Sequence, residues 1–307
     1  LPFHDNEGAA TTYGTAQHSK FSIISGTEIE KIYLPSDTSS IISGNYSTYI
    51  LGKENASINA IVNASEIGIK SQGNADDVIT LNQTSTTWGE EYAAHHVGNN
   101  GVGATDEKIK LKNYLKHDLS LDLAQGSDKI VGTSGNDAIF FQNLGTDGNL
   151  LYKEENDKSQ TSVRIIGVET IDLMEGDDFL DLTSNETSLE NHDLNITTGL
   201  GNDILWLSDA NELVNTGEGD DEVVVNGGKD NLTTGLGKDV ITISNSSGEL
   251  TITDFDTNND KLKFFVTENQ VSTNGNVLTV NNSYGSYNVV LDNITTSIDF
   301  TNFSIFL

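Results

Sequence analysis

A short glycine turn that ends in an acidic residue occurs three times at a constant interval. The turns are TGLGND at 198–203, TGEGDD at 216–221 and TGLGKD at 234–239, so each begins eighteen residues after the previous one. Glycine permits the positive φ angles of a tight turn, which aims backbone carbonyl oxygens at one point. The closing aspartate adds a carboxylate. This set of hard oxygen donors predicts a cation site at the turns.

The underlying period is nine residues. Residues 198–242 divide into TGLGNDILW, LSDANELVN, TGEGDDEVV, VNGGKDNLT and TGLGKDVIT. Three columns stay in register across these nonapeptides: glycine or alanine at the fourth place, an acid at the sixth and an aliphatic residue at the eighth. The acids are Asp203, Glu212, Asp221, Asp230 and Asp239.

Calcium is the cation that such turns favour. It accepts about six to eight oxygens in flexible geometry, whereas magnesium requires a stricter octahedron with retained water. One turn cannot supply so many ligands, so we expect two stacked turns to share an ion. Two nonapeptides then form one coil of eighteen residues, with the turns at 198, 216 and 234 on one edge and those at 207 and 225 on the other. The second edge is expected to bind more weakly, because Glu212 stands there in place of aspartate and LSDANE lacks two glycines.

The elements that position these turns are predicted to be short strands. After Asp203, Asp221 and Asp239 the pattern x-U-x-U, in which U is apolar, alternates as a strand with one buried face does, whereas the opposite strand supplies one apolar residue, Val214 or Leu232. The same signature recurs after Asp77, Asp137 and Asp178, and nonapeptide-like segments occur at 72–80, 123–131, 132–140 and 173–181. Further coils interrupted by insertions are therefore predicted upstream. The outward residues Ile204, Trp206, Val224 and Val240 form an apolar patch, which we expect to pack within the chain.

These nonapeptides resemble the G-G-x-G-x-D-x-U-x repeat of the RTX (repeats-in-toxin) family, a calcium-binding parallel β-helix repeat. The resemblance implies an all-β fold: a calcium-binding parallel β-roll or β-solenoid with an additional N-terminal β-rich region. It implies several Ca²⁺ ions held by repeat residues and no other cofactor. The candidate metal ligands are Gly199, Gly201, Asp203, Glu212, Gly217, Gly219, Asp221, Gly228, Asp230, Gly235, Gly237 and Asp239, with Asp77, Asp128, Gly135, Asp137 and Asp178 upstream.

The segment after the repeats contains Asp254, Asp256 and Asp260. An EF-hand is excluded, because the sixth loop position is Asn259 and the twelfth is Phe265. The segment looks instead like the one that closes RTX rolls and binds one more ion. The last residues resemble the C-termini of proteins exported by type I secretion. We predict three regions: a β-rich part at 1–118, interrupted repeats at 119–189, and a roll with its cap at 190–307.

Charge limits the partners of the chain. The 46 acidic and 16 basic residues give a formal net charge of -30, which disfavours nucleic acids and anionic membranes and favours cations. No cysteine is present, so disulfides and thiolate metal sites are excluded. No apolar run is long enough to span a bilayer, which takes about 18 residues. We therefore expect a secreted protein with no transmembrane segment.

The motifs of common secreted enzymes are absent. The sequence contains neither HExxH nor GxSxG, so no enzymatic activity is expected. The expected function is that of a bacterial extracellular protein, an adhesin or a surface-layer (S-layer) component, that folds on binding calcium outside the cell. Two alternatives stay open: a calcium-assisted module that binds a glycan or peptide, and the non-catalytic tail of a secreted hydrolase. Its partners would be calcium and, on a cell surface, glycans, peptides or like subunits.

Overall fold

The computed structural model describes residues 3–4, 10–13, 20–24, 30–34, 39–44, 48–52, 57–62, 66–71, 73–82, 92–95, 106–109, 113–123, 125–140, 165–182, 193–244, 247–296 and 299–306. These ranges contain β-strands and two 3-10 helices, Glu268–Gln270 and Phe300–Asn302, and no α-helix. No helix among them is long and apolar enough to cross a membrane. The predicted all-β class is therefore confirmed for this part of the chain.

The strands follow one another at short intervals. In chain order they are β1 Phe3–His4, β2 Ala10–Tyr13, β3 Lys20–Ile24, β4 Glu30–Leu34, β5 Ser39–Gly44, β6 Thr48–Gly52, β7 Ser57–Val62, β8 Glu66–Lys70, β9 Val78–Leu81, β10 Tyr92–His95, β11 Asp106–Ile109, β12 Leu115–Asp122, β13 Lys129–Val131, β14 Asp137–Phe140, β15 Ile165–Ile166, β16 Thr170–Asp172, β17 Phe179–Asp181, β18 Leu194–Leu200, β19 Ile204–Trp206, β20 Glu212–Glu218, β21 Glu222–Val225, β22 Lys229–Thr233, β23 Val240–Ile243, β24 Gly248–Ile252, β25 Lys261–Phe264, β26 Val271–Asn274, β27 Val277–Asn282, β28 Gly285–Leu291 and β29 Ser304–Phe306.

The chain divides into two compact units. Unit 1 comprises 1–87, 114–133 and 137–172. Its strands alternate between two parallel sheets, one ordered β2-β4-β6-β8-β12-β14 and the other β3-β5-β7-β9-β13-β16. Strand β1 pairs antiparallel with β2, and β15 lies parallel beside β12.

Unit 2 comprises 88–113, 134–136 and 173–307. Its first sheet is parallel and ordered β17-β19-β21-β23-β25-β29. Its second sheet runs in parallel through β18-β20-β22-β24-β28 and ends in the antiparallel strands β27 and β26. The hairpin β10–β11 also belongs to this unit.

Strand register confirms the eighteen-residue coil in unit 2. Leu194 lies beside Glu212 in the second sheet, and Leu205 lies beside Val223 in the first, a shift of eighteen residues in both sheets. The next coil keeps this interval, because Val223 lies beside Ile241. Each coil thus contributes one strand to each sheet, and equivalent residues form straight columns.

The core of unit 2 lies between its two sheets. The first sheet points the fully buried column Leu205, Val223, Ile241 and Leu262 inward, and the second points Ile196, Val214, Leu232 and Ile252 inward. The outward patch on the first sheet is also covered, since Trp206 is 1% exposed and Val224 is 6% exposed. Ile204 and Val240 are half-buried. The expected packing of this patch within the chain is therefore confirmed for Trp206 and Val224.

Candidate cation site in the turns of unit 2

A column of buried aspartates lies where the turns of unit 2 enter its first sheet. We call this column the first ladder; its members are Asp178, Asp203, Asp221, Asp239 and Asp260. In each step the backbone N–H of one acid donates to Oδ1 of the acid one coil later. The N···Oδ1 distance is 2.8 Å from Asp178 to Asp203 and 2.9 Å from Asp203 to Asp221. It is 3.0 Å from Asp221 to Asp239 and 3.1 Å from Asp239 to Asp260. The side chains of the ladder thus form a hydrogen bond between each coil and the next.

The inner carboxylates of the first ladder each keep one oxygen unmatched. Within the described residues, Oδ2 of Asp203, Asp221 and Asp239 is buried and has no hydrogen-bond partner. Burial raises the pKa of Asp203 from 3.8 to about 6 and that of Asp239 to about 7, and it also raises the pKa of Asp221. A buried carboxylate must be neutralised by a proton or a cation. The unmatched oxygens show where that charge would bind.

The glycine turns bring backbone oxygens close to the ladder. Gly219 has φ 145° and stands so close to the carbonyl oxygen of Gly201 that a Cβ would clash with it. The same close approach to the preceding coil is shared by Gly199, Gly201, Gly217, Gly228, Gly235 and Gly237. Only glycine permits this stacking, because it lacks the side chain that would occupy the space. The turns thus place carbonyl oxygens beside buried carboxylates.

A threonine column, which the sequence analysis did not assign, accompanies the first ladder. Thr198, Thr216 and Thr234 are fully buried. The hydroxyl of Thr198 donates to the carbonyl oxygen of Thr216, and that of Thr216 donates to the carbonyl oxygen of Thr234, both at 2.8 Å. The signal in the sequence was the threonine that opens all three TGxGxD turns.

The acids after the repeats close the turn edge. Asp254 accepts hydrogen bonds from the backbone N–H of Thr234 at 2.9 Å and of Gly235 at 2.8 Å. Asp260 accepts one from Asp239 through Oδ1 and one from the N–H of Asp256 through Oδ2 at 2.7 Å. Both oxygens of each acid are therefore bonded to the backbone.

Asp256 lies in a local turn on the surface. Its Oδ1 accepts a hydrogen bond from the backbone N–H of Asn258 at 2.9 Å, and this bond lowers the pKa of Asp256. Its Oδ2 accepts a hydrogen bond from Asn259. Like Asp254 and Asp260, it already has protein donors on both oxygens.

The other edge of unit 2 carries a pair of acids instead of a ladder. The backbone N–H of Glu212 donates to Oδ1 of Asp230 at 3.0 Å, and both acids are buried. In the register of the second sheet, Leu194 lies beside Glu212 and Leu250 beside Asp230, so leucine bounds the pair on both sides. Burial raises the pKa of both acids, and the charge of Glu212 raises that of Asp230 further.

Hydroxyl groups adjoin this acid pair. The hydroxyl of Ser208 donates to Oε1 of Glu212. Tyr287 from β28 is fully buried, and its pKa is raised by burial and by the charges of Asp230 and Glu212. The ring of Tyr287 lies against Gly248, where a Cβ would meet it.

A second ladder runs along the outside of the same turns as the first ladder. This outer ladder consists of Asn136, Asp177, Asn202, Asp220 and Lys238, each of which precedes the acid position of its turn. The backbone N–H of Asp220 donates to Oδ1 of Asn202, and that of Lys238 donates to Oδ1 of Asp220, at 2.8 and 2.9 Å. Here the donor is in the later coil, whereas in the first ladder it is in the earlier coil. The sequence signal was Asn or Asp at the fifth nonapeptide position.

Unit 1 contains a comparable acid column. Asp77 accepts a hydrogen bond from the N–H of Ile58 at 2.6 Å, Asp128 from that of Asp77 at 2.7 Å, and Glu169 from that of Asp128 at 2.7 Å. Burial raises the pKa of Asp77 to about 6 and that of Asp128 to about 7. Glu169 was not among the predicted ligands, although it precedes the x-aliphatic pattern in Glu169-Thr-Ile171.

Asp137 in unit 1 has a different environment. It is fully buried, and its Oδ1 lies 2.8 Å from Nε2 of His117, which is also fully buried. His117 was not predicted as a site residue, because its partner twenty residues away becomes apparent only from the strand register. Gly135 lies in the turn before Asp137, and its carbonyl oxygen closely approaches Gly176.

The donor set of the first ladder fits calcium in chemical type, since it offers only hard oxygens from carboxylates and backbone carbonyls. Among the described residues, no three His, Asp or Glu side chains converge on one point. A calcium ion would therefore draw on the carbonyl oxygens of the glycine turns as well as on the carboxylates. No protein-family model matches the chain, and no curated protein matches it.

Proposed function

We propose that the first ladder and its glycine turns bind several calcium ions, and that the chain is a non-enzymatic RTX-type β-roll that folds when it binds them. The observation that carries this proposal is the unmatched, buried Oδ2 atom of Asp203, Asp221 and Asp239. In this proposal the protein acts outside a bacterial cell, as an adhesin or surface-layer component.

The electrostatics of the ladder support this proposal. Neighbouring acids lie on strands spaced about 4.8 Å apart, and two unit charges at such a distance repel by about 1 kcal/mol in water and by more where water is excluded. A calcium ion replaces this repulsion with coordination, so its binding free energy adds to the free energy of folding. Extracellular calcium modules bind at about 10⁻⁴ to 10⁻³ M, which would keep the chain unfolded inside a cell.

The test is a calcium titration of the full chain followed by circular dichroism and calorimetry. We expect chelated protein to lose strand signal and calcium to restore it, with magnesium far less effective. Circular dichroism that does not change between excess chelator and excess calcium would contradict the proposal.

A matched pair of variants locates the ions. Asp221→Asn keeps the Oδ1 acceptor but removes the buried charge, whereas Asp220→Asn removes the same charge from the exposed neighbour in the outer ladder. We expect Asp221→Asn to weaken calcium binding at least tenfold and Asp220→Asn to change it less than threefold. Equal effects would show that calcium is attracted only by the net charge.

The biological role is tested separately. For a surface-layer component we expect added calcium to trigger ordered self-assembly, visible by light scattering and electron microscopy. For an adhesin we expect calcium-dependent binding on glycan or peptide arrays without assembly. The absence of both would contradict the surface role. Calcium binding itself is tested separately by the calcium titration.

A further inference from the structure

We infer that His117 occupies the place at Asp137 where a cation would bind, so that the pairing of β12 with β14 does not depend on calcium. This inference rests on the proposed function, because it assigns which of the buried acids depend on the ion. It concerns residues of unit 1 only.

The contacts of Asp137 differ from those of the inner acids in the first ladder. Its Oδ1 is 2.8 Å from Nε2 of His117 and accepts a hydrogen bond from the hydroxyl of Thr133 at 3.0 Å. Its Oδ2 accepts the backbone N–H of Thr133 at 2.6 Å. Both oxygens are thus occupied by protein donors, whereas Asp203, Asp221 and Asp239 each keep one oxygen without a hydrogen-bond partner within the described residues. Asp128, which lies between β12 and β13, also keeps one such oxygen, so the inference applies to Asp137 and the pairing of β12 with β14 and not to Asp128.

The strand register explains why His117 reaches this carboxylate. Leu115 lies beside Asp137, and His117 lies beside Ile139. An apolar residue therefore occupies the place in the preceding coil where the first ladder has another acid. His117 follows two residues later, so its side chain points to the same inward face, where Leu119 and Leu121 are also buried.

Burial strengthens the contact between His117 and Asp137. His117 and Asp137 are both fully buried, so water does not compete for their contact. A hydrogen bond to a buried carboxylate is strong because the surroundings screen it weakly. Asp137 therefore has the stabilising partner that the inner acids of the first ladder lack, and a calcium ion there would have to displace it.

The test is hydrogen exchange followed by mass spectrometry on the full chain, with excess calcium and with excess chelator. We expect peptides covering β12 and β14 to stay protected in chelator, with exchange rates changed less than threefold. Peptides covering β19, β21 and β23 should exchange at least a hundredfold faster in chelator than in calcium.

Variants at His117 separate its hydrogen bond from its bulk. His117→Leu places an apolar side chain of similar size there and removes the Nε2 group that contacts Asp137. We expect β14 to exchange at least tenfold faster in chelator in this variant. His117→Gln retains an N–H donor and should preserve more of the protection. His117→Asp places a second acid beside Asp137 and should make the protection of β14 depend on calcium.

The outcomes distinguish the inference from the proposed function. If β12 and β14 of the natural chain lose protection in chelator together with β19–β23, the inference is overturned while calcium-dependent folding stands. If β19–β23 do not respond to calcium, the proposed function is overturned. In that case the variant His117→Leu still tests the role of His117. Unchanged protection of β14 in that variant would overturn the inference that His117 stabilises β14.

Discussion

The two turn edges of unit 2 are built from the same nonapeptide, yet the acidic residues on the two edges have different neighbours. On one edge, the first ladder runs through Asp203, Asp221 and Asp239 without interruption. On the other, Glu212 and Asp230 form an isolated pair between Leu194 and Leu250. An acid in the ladder has acidic neighbours in two directions, whereas an acid in the pair has one acidic neighbour and one leucine.

This difference indicates that the number of acidic neighbours, and not the nonapeptide alone, determines how the charge of each acid can be neutralised. Two isolated carboxyl groups can share one proton, as pairs of like charges at close range do. A longer ladder accumulates charge with each coil, so a divalent cation becomes the more effective neutraliser. The edges therefore provide an internal comparison of ladder and pair within one fold.

The largest expected effect is on calcium-dependent stability. Asp239→Asn removes a ladder carboxylate, and Glu212→Gln removes one from the pair. A site with a free ligand concentration of 100 times Kd contributes about 2.7 kcal/mol, so we expect Asp239→Asn to lower the calcium-induced gain in unfolding free energy by about that amount. Glu212→Gln should lower it by less than about 1 kcal/mol. Urea unfolding at a low and at a saturating calcium concentration measures both, and a larger loss in Glu212→Gln would reverse the comparison of the edges.

Glycine substitutions compare a turn position on the ladder edge that requires glycine with a position on the pair edge that has room for a side chain. Gly219 on the ladder edge has φ 145°, and an added Cβ would clash with the carbonyl oxygen of Gly201. At Gly227 on the pair edge, an added Cβ would meet Cβ of Asp209 at 3.2 Å, which a small shift can relieve. We expect Gly219→Ala to cost about 3 kcal/mol and Gly227→Ala about 1 kcal/mol. Similar costs in thermal unfolding would contradict the close approach of Gly219 to the carbonyl oxygen of Gly201.

The pH dependence without calcium tests whether protons substitute for the cation. The pKa of Asp203 rises to about 6 and that of Asp239 to about 7 in the folded chain, above the ordinary 3.8. The folded state therefore binds protons more tightly, so the contribution to stability is complete below pH 3.8 and is lost as pH rises through 6 and 7. We expect chelated protein to lose about 2 kcal/mol or more between pH 4 and pH 8.

Calcium should cancel this loss, because it replaces the protons on the ladder acids. Asp230→Asn provides the comparison with the pair edge: it imitates a protonated Asp230 and should raise the stability of chelated protein at pH 8. The strand signal in circular dichroism across this pH range, with calcium and with chelator, measures both effects. A chelated protein that becomes more stable as pH rises would contradict the raised pKa values of the ladder.

The smallest expected effect concerns the outer ladder, which is exposed. Asp220→Ala removes the acceptor for the backbone N–H of Lys238, whereas Asp220→Asn keeps that acceptor. We expect Asp220→Ala to cost about 1 kcal/mol and Asp220→Asn less than about 0.5 kcal/mol, with or without calcium. Chemical unfolding provides the measurement. A cost that appears only with calcium would connect Asp220 to the ion and remove the distinction between the two ladders.

The nonapeptide columns made much of unit 2 predictable. Glycine, acid and aliphatic positions repeat at a fixed interval, and the structure places Leu205 beside Val223 and Val223 beside Ile241 at that interval. The acids Asp77 and Asp178 were also predicted from the same pattern, and both are buried. Local sequence was sufficient here because glycine turns and strand alternation are local properties.

The partners of the acids were not predictable in the same way. His117 reaches Asp137 because Leu115 of β12 lies beside Asp137 of β14, an interval of 22 residues and not eighteen. Glu169 joins its column across 41 residues. Tyr287 reaches the acid pair from β28, which pairs parallel with β24 and antiparallel with β27. Insertions of unequal length hide such registers, so their side chains cannot be matched without the fold. Calcium binding and extracellular location remain predictions.

The backbone hydrogen bonds of the two ladders run in opposite directions along the chain, and this bears on which deletions the ladders tolerate. The N–H of Asp203 points to the later Asp221, and the N–H of Asp220 points to the earlier Asn202. Removal of residues 216–233 would bring Asp203 beside Asp239 and Asn202 beside Lys238, so every donor of these two ladders would still meet an acceptor. The same deletion removes Asp230, so the N–H of Glu212 would lose its acceptor on the other edge. A deletion of nine residues would instead move each acid to the opposite edge. Loss of a whole coil therefore leaves the ladder edge continuous, and its consequence falls on the acid pair.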